Sequence, residues 1–542
     1  MTGTEFFRSF GVPRSGGRNR GDENSGFAMK IVHGLRVSSL PIVGVARTAR
    51  TCDESRSSMP RFLLCSLVAL GVVLTGCGRR DPQVEFRWRF LGGQVLKAQT
   101  NAPALRDILL LPEAGPLAGP LARQLAGVWW SSGTADRELP EAAARDGASL
   151  TADLLNHLSV GEIVRTPGGA REFALALQLP AERAEAWERA WPAWIEAVHS
   201  AREGKAGAPS VVRRDPWVLA VSDATLLPPD TTFRRLAEYP PIAGALLQFE
   251  AHVPDFPAIR GAFVPTNGNV RLTATVRTSK SLPPLFPAWQ LPTALREPIV
   301  QFSAIRGLND WGQGWLNPTP WTGGAWPSEV FVWSQQGLAL RTYLAARTDH
   351  PEQIVQHWFK RLESSFAPFS PAPLYLGRLI QETNPPRLIV TGGLPVAPVW
   401  QAYEDDGRKF LTFGLVPMAQ ATNPPAPEML ARLNRPTVLL YDWEFTSEAI
   451  KHWHALDQLP ALFEGRQGIL TDPGSRWLLA AAAKLGESVT EAEVAGEHEV
   501  SIQRKAPAGL TGLELTLLAK WLDPVPPMRL RPTNSSPAAV RK

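Results

Sequence analysis

Two stretches of the chain, residues 218–259 and 410–450, contain the same features in the same order. Each has an apolar strand pattern, a Pro-Pro pair, a short helical segment, a second apolar strand, an acidic residue and a helix start. Pro228–Pro229 corresponds to Pro424–Pro425, and "LLQFE" corresponds to "LLYDWE". An internal repeat of this length favours a fold built from two copies of one module. Chance similarity is the alternative, because few residue types match.

Alternating apolar residues predict strands with one apolar face. In "REFALALQLP", residues 173, 175, 177 and 179 are apolar, and Val270, Leu272, Ala274 and Val276 repeat the pattern in "VRLTATVR". Strands of this kind are typical of antiparallel sheets that leave one face open to water or to a polar layer. Asn267–Gly268 and Asp406–Gly407 predict hairpin turns between such strands.

Helical periodicity separates the strands. The three-to-four spacing of apolar residues predicts one helix around Trp187 and a second that begins near Asp349, with Glu352 as its capping partner. A third, alanine-rich helix is predicted from Ser475 to Leu485. The expected fold class is α+β, with two tandem modules of antiparallel hairpins and packed helices. The residues predicted to be buried on the first two helices are Trp187, Trp191, Trp194 and Val198, then Ile354, Trp358 and Leu362.

An export signal lies well inside the chain, in "MPRFLLCSLVALGVVLTGCGRR" from Met59 to Arg80. Arg61 precedes an apolar segment and small residues, which is the layout of a secretory signal. The apolar segment is shorter than the roughly 20 residues that a membrane-spanning helix needs. The residues Leu74, Thr75, Gly76 and Cys77 resemble the lipobox of bacterial lipoproteins. This resemblance implies that Cys77 is lipidated and becomes the N-terminus after cleavage.

The signal divides the chain into segments. Residues 1–58 are polar and glycine-rich, without a periodic apolar face, and we interpret them as an over-extended gene start that precedes the true start at Met59. The expected division is a disordered leader at 1–58, a lipoprotein signal peptide at 59–76, an anchor-proximal segment at 77–144, a first module at 145–300, a Trp-, Pro- and Gly-rich connector at 301–328, a second module at 329–522 and a disordered tail at 523–542.

Charge and cysteine content describe the exported part. Residues 1–76 contain ten basic and five acidic residues, which accounts for the whole net charge of +5. The chain from Cys77 onward therefore has no net charge. A chain with equal numbers of acidic and basic residues and no basic blocks is not expected to bind nucleic acid. Only Cys77 remains after cleavage, so the mature chain has no internal disulfide. Gly78 follows the cysteine, whereas an aspartate there retains lipoproteins of enteric bacteria at the inner membrane, so the resemblance favours the outer membrane.

Motifs for catalysis or cofactor binding are absent from the sequence. It contains no G-x-S-x-G, H-E-x-x-H, P-loop or dinucleotide-binding pattern. His452 and His454 would point in opposite directions on a helix and could not share a metal. "EDDG" at 404–407 is interpreted as an acidic hairpin tip, because a calcium loop needs more oxygen ligands. We expect no metal and no cofactor.

Tryptophan is unusually frequent, with 19 residues, of which five lie between Trp311 and Trp333. Indoles can stack on sugar rings or line a groove, and Trp311, Trp315, Trp321 and Trp326 are the candidate ligand-binding residues. The alternative is that these indoles are buried where the connector covers the junction between the modules. The expected function is a non-enzymatic structural or interaction lipoprotein with the membrane as partner through its lipid. The alternatives are a lipoprotein that binds a glycan or apolar small molecule, and an enzyme without a recognisable motif.

Overall fold

The structure, a computed structural model, describes part of the chain. The predicted leader, the signal peptide, Cys77 and the tail at 523–542 lie outside the described residues. The described residues are 83–131, 140–166, 169, 171–201, 207–254, 256–311, 319–337, 340–366, 378–391, 396–417, 423–463 and 472–522.

The described part of the chain contains 18 strands. They are β1 Gln83–Phe90, β2 Ser159–Arg165, β3 Arg171–Gln178, β4 Ser210–Arg214, β5 Trp217–Val221, β6 Leu247–Ala251, β7 Ala258–Thr266, β8 Asn269–Arg277, β9 Ile299–Arg306, β10 Glu329–Gln335, β11 Thr342–Arg347, β12 Arg378–Thr383, β13 Pro386–Thr391, β14 Val399–Asp405, β15 Arg408–Gly414, β16 Val438–Phe445, β17 Glu487–Gly496 and β18 Glu499–Ala506.

Helices lie between and after these strands. They are α1 Gly93–Lys97, α2 Pro103–Leu109, α3 Ala118–Ser131, α4 Glu141–Asn156, α5 Ala181–Ala201, α6 Pro229–Ala237, α7 Leu308–Trp311, α8 Thr319–Thr322, α9 Pro351–Phe366, α10 Pro427–Ala431, α11 Thr446–Phe463, α12 Pro473–Ala482 and α13 Gly512–Leu522. Short 3-10 helices occupy Pro112–Leu117 and Arg432–Asn434. None of the helices in the described part of the chain is long and apolar enough to cross a membrane.

One continuous sheet of 18 strands contains every described strand. Its strand pairings give the order β12-β13-β14-β15-β11-β10-β9-β16-β17-β18-β8-β7-β6-β1-β2-β3-β5-β4, and each of these pairings is antiparallel. The fold is therefore mixed α and β, with the sheet dominant, and the predicted antiparallel pairing is confirmed.

The strand order has the same form on both sides of the β8–β18 pair. On one side the strands run β8-β7-β6-β1-β2-β3-β5-β4, and on the other they run β18-β17-β16-β9-β10-β11-β15-β14. The β12–β13 hairpin extends the second run only. β1 lies in the segment expected to be anchor-proximal, and β9 begins just before the expected connector, so both regions contribute strands to the sheet.

The predicted tryptophan stripe forms the centre of the first core. Trp187, Trp191 and Trp194 of α5 are each at most 3% exposed, and Val198 is fully buried. The indoles of Trp187 and Trp191 stack with ring centroids 5.5 Å apart, and the Nε1 of Trp191 donates to the carbonyl of Val221 at 2.9 Å. The stripe packs against Phe173, Leu175 and Leu177 of β3. The helix and its buried face are therefore confirmed.

β3 departs from the prediction on its second face. We expected that face to be open to water or to a polar layer, but Glu172, Ala174 and Ala176 are at most 5% exposed. The two alanines pack with Leu236 of α6 in a separate apolar cluster, and Glu172 accepts a hydrogen bond from Ser222 at 2.5 Å. β3 is thus buried on both sides. The one-sided pattern is confirmed in β8, where Arg271, Thr273 and Arg277 are exposed.

Both predicted hairpin turns are present. Asn267 and Gly268 have φ values of 47° and 86°, and Asp406 and Gly407 have φ values of 50° and 72°. Positive φ at both central residues is the geometry that Asn-Gly and Asp-Gly allow in a two-residue hairpin. These turns join β7 to β8 and β14 to β15. The "EDDG" segment is therefore the tip of a hairpin, as expected.

Candidate functional site

The tryptophan-rich connector is described only in part. Trp311 ends α7, its side chain is not among the described ones, and Trp315 lies outside the described residues. Trp321 and Trp326 are both partly buried and pack against the apolar cluster between the sheet and α9. The connector therefore places two of its four candidate indoles on the core of the second half of the sheet.

Trp358 of α9 holds this part of the connector. Its Nε1 donates to the carbonyl of Trp321 at 2.9 Å, and the two ring systems lie 6.4 Å apart. On its other side the indole of Trp358 stacks on Trp400 of β14 at 5.5 Å. Ile354 and Leu362 are also buried on α9, which confirms the helix predicted from Asp349. The contacts of Trp321 are those of a packed side chain.

A second candidate site is a buried acidic pair on β16. Asp442 and Glu444 are two residues apart on one strand, so both side chains point to the same face of the sheet. Glu444 is fully buried and Asp442 is partly buried. Their neighbours on β9 and β17 are polar as well, namely Gln301, Ser303, Ser488 and Thr490. The centre of this face is thus a polar layer between β16 and α13.

Glu444 connects the sheet to the beginnings of two helices. Its Oε1 accepts a hydrogen bond from the backbone N–H of Gly512 at 2.6 Å, at the N-terminus of α13. The same oxygen accepts the hydroxyl of Thr446 at 2.9 Å, at the N-terminus of α11. Thr446 also contacts the hydroxyl of Ser488 at 2.6 Å. The Oε2 of Glu444 is buried and has no hydrogen-bond partner among the described residues.

Asp442 lies beside an ion pair. Its Oδ1 accepts the hydroxyl of Ser303 at 2.5 Å. Arg504 of β18 donates to Glu514 of α13 at 2.6 Å and to the hydroxyl of Thr490 at 2.9 Å. Three carboxyl groups, those of Asp442, Glu444 and Glu514, therefore share the surroundings of one guanidinium group. This excess of acidic groups is what makes the cluster chemically unusual.

The pKa of Glu444 reflects this environment. Burial, and after it the charge of Asp442, raises the pKa of Glu444 to about 8, although the hydrogen bonds from Gly512 and Thr446 act in the opposite direction. Burial also raises the pKa of Asp442. A carboxyl group with such a pKa is largely protonated at neutral pH and can donate a hydrogen bond. Perturbed carboxyl groups of this kind occur at functional sites more often than elsewhere.

Arg504 remains a cation within the cluster. Burial alone would lower the pKa of its guanidinium group, but Glu514 and then Asp442 and Glu444 outweigh that effect, so the pKa is raised. The charges of Arg504 and Glu514 therefore cancel. The carboxyl groups of Asp442 and Glu444 remain, and one bound proton neutralises one of them.

Two other buried glutamates in the described part of the chain are paired with arginines. Glu162 of β2 is also fully buried, but Arg87 contacts it at 3.1 Å and Arg235 of α6 donates to its second oxygen. Glu85 is held in the same way by Arg165 and Arg171. Glu444 has no such ion pair within the described residues, which distinguishes it from these structural pairs.

His452 and His454 are buried on α11. Burial lowers the pKa of both imidazoles, which favours their neutral forms. Within the described residues, no group of three or more His, Cys, Asp and Glu side chains could hold a metal ion.

Sequence reasoning missed the acidic pair. It treated Glu444 only as a marker of the repeat in "LLYDWE". The available signal was the spacing of Asp442 and Glu444, because two acidic residues at alternate positions of an apolar strand point to one face. Their partners Ser303 and Arg504 are far away in sequence, so only the pairing of strands identifies them.

Comparisons with known proteins give no match. Neither the protein-family models, nor the curated proteins, nor the solved structures contain one that matches this chain.

Proposed function

We propose that the chain is a bacterial lipoprotein that is held in the cell envelope by a lipid on Cys77 and presents its sheet as a scaffold for interaction with other envelope components. The observation that carries this proposal is the position of the lipobox-like residues 74–77 relative to the fold. β1 begins at Gln83, six residues after Cys77. Six residues span at most about 20 Å, so a lipid there would hold the sheet close to a membrane.

The sheet suits a scaffold better than a container. Neighbouring strands lie about 4.8 Å apart, so a path of 18 strands extends over roughly 80 Å. The cavity beside the indoles of α5 has a volume of about 10 Å³, which holds about one water molecule. Glycan or small-molecule binding by the connector is the second candidate, and the packing of Trp321 and Trp326 on the core argues against it.

We also propose that the two halves of the sheet arose by internal duplication. A row of paired residues crosses each half, and the rows correspond strand by strand. The first row is Leu272, Phe263, Leu247, Phe90, Ser159, Leu177 and Val218. The second row is Ile502, Ala492, Leu440, Ile305, Val330, Ala346 and Leu411.

Two further observations support the duplication. The correspondence of Leu247 with Leu440 agrees with the match of the Leu-Leu pairs in "LLQFE" and "LLYDWE", which does not depend on strand pairing, although the final glutamates of these two segments are one position out of register. At the centre of the β8–β18 pair, Thr273 lies opposite Gln503. These residues directly follow Leu272 and Ile502, the corresponding members of the two rows, so their positions also correspond. The halves are therefore related by an approximate two-fold axis, as the subunits of an isologous dimer are.

The duplication predicts how a single-module relative behaves. We expect a relative that contains only the strands corresponding to β1–β8 to form a dimer through the strand corresponding to β8, because that edge is otherwise unpaired. Sedimentation equilibrium measures the mass. A stable monomer with this edge exposed would contradict the two-fold relation.

Replacement of the lipobox cysteine tests the proposed anchor. In the Cys77→Ser variant we expect loss of labelling by radioactive palmitate and accumulation of unprocessed precursor, because serine has no thiol to accept the lipid. Labelling followed by immunoprecipitation measures both effects. Cys65→Ser is the matched control, since Cys65 lies within the signal and should not affect labelling. Unchanged labelling of Cys77→Ser would refute the lipid anchor.

A further inference from the structure

The polar cluster around Glu444 occupies a place that is apolar in the other half of the sheet. Leu247 of β6 corresponds to Leu440 of β16 in the rows given above. Counted along each strand from these two residues, Asp442 and Glu444 correspond to Phe249 and Ala251 of β6. Phe249 is paired with Trp88 and Gly261, where Asp442 is paired with Ser303 and Thr490. Phe249, Ala251 and Trp88 all belong to the first apolar core.

The same strand arrangement is therefore compatible with an apolar core at this place. Ala274, which corresponds to Arg504, is also buried in the first half. Burial of carboxyl groups is unfavourable unless they are paired or protonated, whereas aromatic packing at the same place is favourable. The cluster in the second half is thus not a requirement of the fold, which points to a function.

We propose that Asp442 and Glu444 form a proton-binding site, which holds one proton at neutral pH and whose deprotonation releases the N-terminus of α13 from the sheet. The geometry supports this assignment in two ways. The Oε2 of Glu444 is buried without a partner, so a proton there removes one of the two buried anions that Arg504 does not compensate. The opposite oxygen accepts the N–H of Gly512, which places α13 against this carboxyl; the hydrogen bond itself favours the ionised form, but burial and the charge of Asp442 outweigh it.

Glu444 is surrounded by groups from its own strand and from the strands and helices that pack against it. Asp442 shares its strand, Arg504 faces it from β18, and Glu514 faces it from α13. β9, β17 and α11 contribute only uncharged groups around the acidic pair, namely Gln301, Ser303, Ser488, Thr490 and Thr446. Loss of the proton would leave Asp442 and Glu444 both charged, because Arg504 already forms an ion pair with Glu514. Repulsion and the need for water then favour opening of the contact with α13.

The direction of the pH effect follows from linkage. The usual pKa of a glutamate is 4.5, and that of Glu444 in the folded chain is about 8. Between these values the folded chain binds more protons than the unfolded chain, so a rise in pH lowers the ratio of folded to unfolded chain by up to about tenfold per pH unit. The stabilising effect of the proton is complete below the lower value and is lost above the higher one. The proposed function places the chain in the cell envelope. If the chain faces the cell exterior there, the site responds to external pH.

Hydrogen exchange of the full chain tests the proposal. The protection factors of the amides at 511–516 are compared at pH 6 and pH 8.5 in the wild type and in Glu444→Gln, which keeps the shape of the side chain without the ionisation. We expect protection to fall more than tenfold with pH in the wild type and less than twofold in Glu444→Gln. Glu185→Gln is the control for loss of a carboxylate, because Glu185 is 63% exposed.

Two results would overturn the proton site. The first is protection at 511–516 that does not change with pH in the wild type, and the second is an equal change in Glu444→Gln. Infrared spectroscopy of the wild type gives a check that needs no variant, since a protonated carboxyl has its own carbonyl stretch. We expect that band at pH 6 and its loss by pH 9, whereas its absence at pH 6 would refute the site. Failure of lipid labelling at Cys77 leaves these outcomes unaffected, so the two proposals fail separately.

Discussion

Replacement of Trp191 by alanine is expected to lower the free energy of unfolding by about 3–5 kcal/mol. Trp191 is 1% exposed, stacks on Trp187 and contacts the edge of Phe173 with ring centroids 5.8 Å apart. Its removal leaves a cavity at the centre of the first core and leaves the carbonyl of Val221 without its donor. Urea denaturation followed by circular dichroism measures the loss.

The control for this prediction is an exposed apolar residue. Leu285 is 62% exposed, so Leu285→Ala should change stability by less than about 0.5 kcal/mol. Trp191→Phe should fall between the two variants, because it keeps most of the ring packing but loses the hydrogen bond. A loss below 1 kcal/mol in Trp191→Ala would contradict the arrangement of α5 on β3.

Trp358→Ala is expected to have an effect of similar size, about 3–5 kcal/mol. Trp358 is 8% exposed and lies between Trp321 of the connector and Trp400 of the sheet. Loss of its indole also removes the hydrogen bond to the carbonyl of Trp321. We expect Trp321 to become more accessible to acrylamide in this variant, since its packing partner is gone; comparison with the same protein carrying Trp321→Phe isolates its signal from that of the other tryptophans.

The same experiment separates packing from ligand binding at the connector. If Trp321 is a recognition residue, acrylamide should quench it strongly in the wild type as well, and Trp358→Ala should not increase that quenching. Ile380→Ala is the control, because Ile380 is 40% exposed on the edge strand β12. Strong quenching of Trp321 in the intact protein would favour the glycan or small-molecule function over the scaffold.

Local patterns predicted local structure well. The Trp187–Val198 stripe was predictable because residues three and four apart on a helix share a face. The two hairpins were predictable because Asn-Gly and Asp-Gly tolerate positive φ. β3 was predicted less well, since Ala174 and Ala176 have side chains that suit either a buried or a solvated face. Their burial depends on α6, whose position the pattern of β3 does not contain.

Long-range pairing was the part that sequence reasoning could not supply. The union of two halves into one sheet depends on the β8–β18 pair, whose members lie more than 200 residues apart. The cluster around Glu444 depends on the same pairings, because they bring Ser303 and Arg504 to β16. Periodicity within one strand specifies which face a residue occupies, but the neighbours on that face follow from strand order.

Mass spectrometry of the natural protein tests the lipid anchor at Cys77. The protein is purified from the membrane fraction of its own host and digested, and its N-terminal peptide is measured. We predict a peptide that begins at Cys77 and carries the mass of the attached acyl chains, with no peptide from residues 1–76. A mature protein that retains residues before Cys77, or an unmodified Cys77, would rule out the lipid anchor.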